Sequence, residues 1–118
     1  MISIPSNDEL AALQKEFYTL YNSLNNAYWA ASTIEAKDQI HGAKDLVDEV
    51  LDILDHADLE SDNDAIANLT QTLKHSIKDL SDLQNKLDAI VHNVAIANSV
   101  IQAINTALTV AGKITAAV

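Results

Sequence analysis

Apolar side chains recur along the second half of this chain at alternating steps of four and three residues. The positions are Ile66, Leu69, Leu73, Ser76, Leu80, Leu83, Leu87, Ile90, Val94, Ala97, Ile101, Ile104, Leu108 and Ala111. Eleven of these fourteen are large aliphatics, two are alanine and one is serine, so chance is a poor explanation. A repeat of 3.5 residues sustained over this length predicts helix packed along one seam against other helices. No glycine or proline interrupts Asp62 to Lys113 before Gly112, and the pattern keeps its phase past Ser81, where Gln84 completes a capping-box match. The unbroken phase argues against a turn hidden at Ser81 but leaves open whether the second arm is one helix, which would span on the order of 75 Å, or two.

The first half is less regular. Pro5-Ser6-Asn7-Asp8-Glu9 reads as a helix start, with Ser6 as the cap and Glu9 three residues on to complete a capping box. Leu10, Leu13, Phe17, Leu20 and Leu24 then form an apolar stripe. After it the spacing widens to Tyr28, Ser32, Ala36 and Ile40, and a heptad resumes at Ala43, Val47, Val50, Leu54 and Ala57. A slip of this kind rewinds a helix or breaks it. Ser32 followed by Glu35 makes another capping-box match and favours a break near residues 31–33, with Gly42 the alternative joint. The polar stretch at 57–63 reads as the main turn, where Ser61 or Asp62 can cap the next helix.

Together these elements predict an all-α, antiparallel up-and-down bundle. Its two helical arms, about 7–57 and 62–112, turn at 57–63 in a single domain covering 1–118. Two helices alone could not cover the wide apolar face of the second arm. Either each arm breaks to make a four-helix bundle, or the hairpin self-associates to complete one.

Composition supports this and narrows the function. Two glycines and one proline are too few for the turns of an all-β fold. Net charge is −10, and all seven bases are lysine, so the chain lacks the guanidinium that grips phosphate with two parallel hydrogen bonds. Nucleic acid is not an expected partner. With no cysteine, thiol chemistry is excluded. Met1 to Ser6 is too short and uncharged for a signal peptide, so the expectation is a cytoplasmic location or leaderless export.

Candidate chemistry is sparse. Each histidine has an aspartate within one helical turn (Asp38/His41, Asp52/His56, His75/Asp79, Asp88/His92), but these positions lie outside or beside the seams. They read as surface pairs rather than as an inward-facing metal site. The alternating acids at 58–64 resemble a calcium loop only superficially, lacking its sixth-position glycine and its closing glutamate. No glycine-rich phosphate loop, dinucleotide fingerprint or nucleophile elbow exists, so neither enzyme activity nor a cofactor is expected.

Two surfaces remain. Ala89 to Gly112 carries no charge with His92 neutral, and its seam positions Ile90, Val94, Ala97, Ile101, Ile104 and Leu108 are candidate association residues. From Asp45 to Asp64 there are nine acids and no lysine, with Asp45, Asp48, Glu49, Asp52 and Asp55 on one helical stretch. The leading expectation is a non-enzymatic interaction or assembly module that forms a homo-oligomer, or pairs with another helical protein, through 89–112. Second is a membrane-active protein using the same helix, whose amide stripe would line a pore. Third is an acidic binder or inhibitor of a basic partner, acting through the 45–64 face.

Overall fold

A computed structural model describes residues 7–56 and 63–116 and contains four helices: α1 (Asn7–Ala30), α2 (Ile34–His56), α3 (Asn63–Ile90) and α4 (Val94–Ala116). Each packs on its sequence neighbours, and α1 also packs on α4, so the helices form a square with α2 diagonal to α4. The bundle is 45 Å long and about 20 Å across, which matches the ~42 Å rise of the 28-residue α3. The expected Ser6 cap, and the turn at 57–62 with its candidate caps Ser61 and Asp62, lie outside the described residues.

Three of the four helices bury most of the stripe expected of them, although Leu10 and Tyr28 in α1 are only half-buried. Leu13, Phe17, Leu20, Leu24 and Ala27 line the inside of α1, and Ala36, Ile40, Ala43, Val47 and Val50 line that of α2. Near the end of α2 the buried position is Leu51, while Leu54 is only half-buried. The α3 seam runs Ile66, Leu69, Leu73, Ser76, Leu80, Leu83 and Leu87, all buried. Ser76, the one polar residue on it, donates its hydroxyl to the Thr72 carbonyl at 2.8 Å, so its burial leaves no orphan donor.

Both arms break, and the two breaks meet. The first lies at 31–33 as expected, but Thr33 rather than Ser32 caps α2, its Oγ1 accepting from the Ala36 amide at 3.0 Å. Ser32 is used differently. Its amide and its hydroxyl both donate to the Ile90 carbonyl, each at 3.1 Å, satisfying a carbonyl that the end of α3 leaves free. Ala31 and Val91 pair as an isolated antiparallel bridge beside them. Gly42, the alternative joint, lies inside α2.

The second break, at 91–93, makes the second arm two helices rather than one. Asn93 caps α4, its side-chain oxygen accepting from the Ile96 amide at 3.1 Å. Beyond it the seam runs Ala97, Val100, Ile104, Ala107, Ala111 and Ile114. The heptad anticipated from the sequence shares Ala97, Ile104 and Ala111 with this seam, so the repeat looked continuous. Its other column, Val94, Ile101 and Leu108, has rotated to the rim of the core. Val94 is 71% exposed, and Ile101 and Leu108 are half-buried. Ser81 lies within α3 and marks no turn.

Candidate interaction surfaces

The bundle has two chemically distinct sides because of its square arrangement. α2 carries Asp45, Asp48, Glu49, Asp52 and Asp55, all exposed. α4, diagonally opposite, has no charged residue before Lys113. The acidic side is lightly engaged. Asp55 accepts from the Tyr18 hydroxyl at 2.8 Å and from the Gln14 amide. The Tyr18 phenol is held above its ordinary pKa, chiefly by that hydrogen bond, then by burial and by the negative charges of Asp55 and Asp48.

The histidine–aspartate pairs lie on the surface. His56 stands 3.0 Å from Asp52, and His75 stands 3.5 Å from Asp79. His41 pairs with Asp45 at 3.7 Å rather than with Asp38, because the i,i+4 direction brings those side chains together. His92 falls in the 91–93 turn rather than on a helix face. Exposed pairs of this kind contribute little to stability. Among the described residues no group of three or more histidines or carboxylates is placed to hold a metal ion.

On α4 the outward positions are small and neutral. Ala95, Asn98, Ser99, Gln102, Asn105, Thr106 and Thr109 are exposed, and the hydroxyls of Thr106 and Thr109 fold back on carbonyls four residues earlier. Of the association residues anticipated from the sequence, Ala97 and Ile104 are buried within the chain's own core. Ile90, Val94, Ile101 and Leu108 are not. The structure adds a relation that the inner heptad hid. Val94, Asn98, Ile101, Asn105 and Leu108 follow one another at steps of four and three, a second seam on the outside of α4 with asparagine at alternate positions. On the α3 side Gln84 buttresses it, donating to the Ile101 carbonyl at 3.1 Å and to Asn105 Oδ1 at 2.7 Å.

An open groove of about 370 Å³ lies between α2 and α3 where Gly42 leaves room, with Ala43, Leu46 and Leu83 among its walls and Asp38, Asp79, Asp82 and Lys86 also lining it. These groups present no nucleophile beside a base.

The architecture is that of an antiparallel four-helix bundle. Compared with family models, curated proteins and solved structures, the chain matches none.

Proposed function

We propose that this protein is a non-enzymatic helical assembly module that pairs with a second copy of itself through the outer seam of α4. The observation that supports this most is the column of exposed Val94 with half-buried Ile101 and Leu108 at the rim of the core, on the one helix whose exposed surface bears no charge before Lys113. Two chains of charge −10 repel each other. They meet at least cost through a neutral face, and α4 against α4 leaves both acidic α2 helices on the far sides. Asparagine alternating with aliphatics is how helical pairs fix register and partner number at some expense of affinity.

One residue tests this in both directions. Asn98 is exposed on the seam, so its replacement leaves the core untouched. Asn98→Leu should tighten self-association and Asn98→Glu should abolish it, with unchanged helicity. Equal assembly of both variants and wild type would refute the seam.

A second reading has its own support. Val94–Thr115 is long and apolar enough to cross a membrane, and only 28% of its most apolar window is buried. In that reading α4 leaves the bundle and inserts, and the signature is release of dye from vesicles. Its amides and hydroxyls oppose insertion of a lone helix, so the soluble pairing is preferred.

A further inference from the structure

Four large hydrophobic side chains are exposed among the described residues, and three of them, Trp29, Ile34 and Val94, lie at one end of the bundle. That end is where the 31–33 and 91–93 turns are tied together by Ser32 and the Ala31–Val91 bridge. Trp29, in the last turn of α1, is 74% exposed, and Ile34, the first residue of α2, is 75% exposed. Trp29 packs edge-on against Tyr28, with ring centroids 5.2 Å apart. The Lys37 ammonium sits 4.8 Å from the Tyr28 centroid and 5.6 Å from that of Trp29 while donating to the Tyr28 carbonyl at 2.8 Å. Lys44 lies 5.3 Å from the Tyr21 ring and 5.6 Å from that of Tyr28. The tryptophan thus stands exposed beside a stack of Tyr28 and Lys37.

Charge is distributed unevenly along the bundle. With each helix divided at its middle, the half bearing Trp29 has five acids (Glu35, Asp38, Asp79, Asp82, Asp88) against four lysines (Lys37, Lys44, Lys78, Lys86). The described residues of the other half have eight acids (Asp8, Glu9, Glu16, Asp48, Glu49, Asp52, Asp55, Asp64) against three lysines (Lys15, Lys74, Lys113), with Asp45 at the middle of α2. The apolar pole is therefore nearly neutral and the far half is strongly negative.

We propose that this pole docks on the surface of a zwitterionic phospholipid bilayer, with Trp29, Ile34 and Val94 entering the headgroup boundary and the bundle intact. Tryptophan and tyrosine favour that boundary, and the Lys37 stem lies along the apolar surface beside Trp29. The acidic half turns away, because pressing its carboxylates against a bilayer would strip them of water. A second copy is a poorer occupant. Three side chains of this size expose on the order of 400 Å², about half of the ~800 Å² that each partner contributes to a standard protein interface. This site shares Val94 with the outer seam of α4 but rests chiefly on Trp29 and Ile34, which the seam lacks, so either can fail alone.

Trp29 is the only tryptophan in the chain, so the native protein reports on its own pole. Its emission should move to the blue on mixing with phosphatidylcholine vesicles and should be quenched by brominated acyl chains, with entrapped dye retained. Ile34→Asp should abolish both changes. That variant should fold, since an acid at the first position of α2 suits the positive end of the helix. Asn98→Glu should leave both changes intact. Absence of the shift would overturn the proposal. So would a shift driven by protein concentration without lipid, which would show a second copy on the pole. Dye release accompanying the shift would equally overturn it, because α4 would then have left the bundle.

Discussion

Val94 and Val100 are the same residue six positions apart on the same helix, and the break at 91–93 assigns them opposite fates. Val100 is fully buried and Val94 is 71% exposed. Truncating Val100 to alanine removes two methyl groups from the core. At about 0.8 kcal/mol each this is ~1.6 kcal/mol of lost transfer energy, and the partly relaxed cavity raises it to roughly 2–3 kcal/mol. Truncating Val94 loses about three-tenths of that transfer term, ~0.5 kcal/mol, and the better helix propensity of alanine offsets a similar amount. The net effect of Val94→Ala is near zero. A continuous heptad through 62–112 reverses this order, because Val94 would lie on its seam and Val100 would not. Urea unfolding followed by circular dichroism separates the two, with both substitutions made in the Asn98→Glu background to remove any contribution from association. A 2 kcal/mol loss should lower the midpoint for Val100→Ala by about 1 M at the slopes usual for small domains. The Val94→Ala midpoint should barely move. If Val94→Ala cost as much as Val100→Ala or more, the α3–α4 break would be wrong.

Other outcomes follow from particular residues. Gly42→Ala should stabilise by about 0.5–1 kcal/mol, since nothing lies within 4 Å of the added methyl group; a loss in thermal unfolding would show that the groove there is already filled. Neutralising Asp45, Asp48 and Asp52 to asparagine should leave stability equal or higher, because like charges at i,i+3 and i,i+4 repel; substantial destabilisation would mean that the face is held by its pairs with His41 and His56 or binds a cation. Tyr18 should titrate above its ordinary value by ultraviolet absorbance, and the high transition should vanish in Tyr18→Phe and move down in Asp55→Asn. Because folding raises this pKa, the phenol–carboxylate bond stabilises the protein fully below the unfolded tyrosine value near pH 10 and loses that effect as pH rises through the folded value. A Tyr18 transition unmoved by Asp55→Asn would show that the bond does not hold in solution.

The sequence made the helices legible because their burial is periodic. The stripes of α1 and α3 matched closely, and the slip after Leu24 located the first break correctly. The choice of cap was one residue off, since Ser32 and Thr33 are equivalent as local signals and only the neighbouring Ile90 carbonyl, distant in sequence, recruits Ser32 elsewhere. The second break was hidden for a different reason. Ala97, Ile104 and Ala111 lie on both the expected and the observed seam, so a turn of three residues rotated the helix without disturbing half of the pattern. The signals present were Asn93, a good cap, and the alanines at 103 and 107, small enough for close helix approach. The outer seam of α4 could not be separated from the core by periodicity alone, because the segment is apolar on two sides. The Trp29 pole was beyond reach, since it depends on two turns sixty residues apart meeting at one end of the bundle.

Sedimentation equilibrium of the wild-type chain, without lipid and across micromolar to near-millimolar concentration, is the most direct test of assembly through α4. The weight-average mass should climb from the 12.8 kDa of a single chain toward twice that value, and Asn98→Glu should hold it at the monomer. A wild-type mass that stays at 12.8 kDa over the whole range would contradict that assembly.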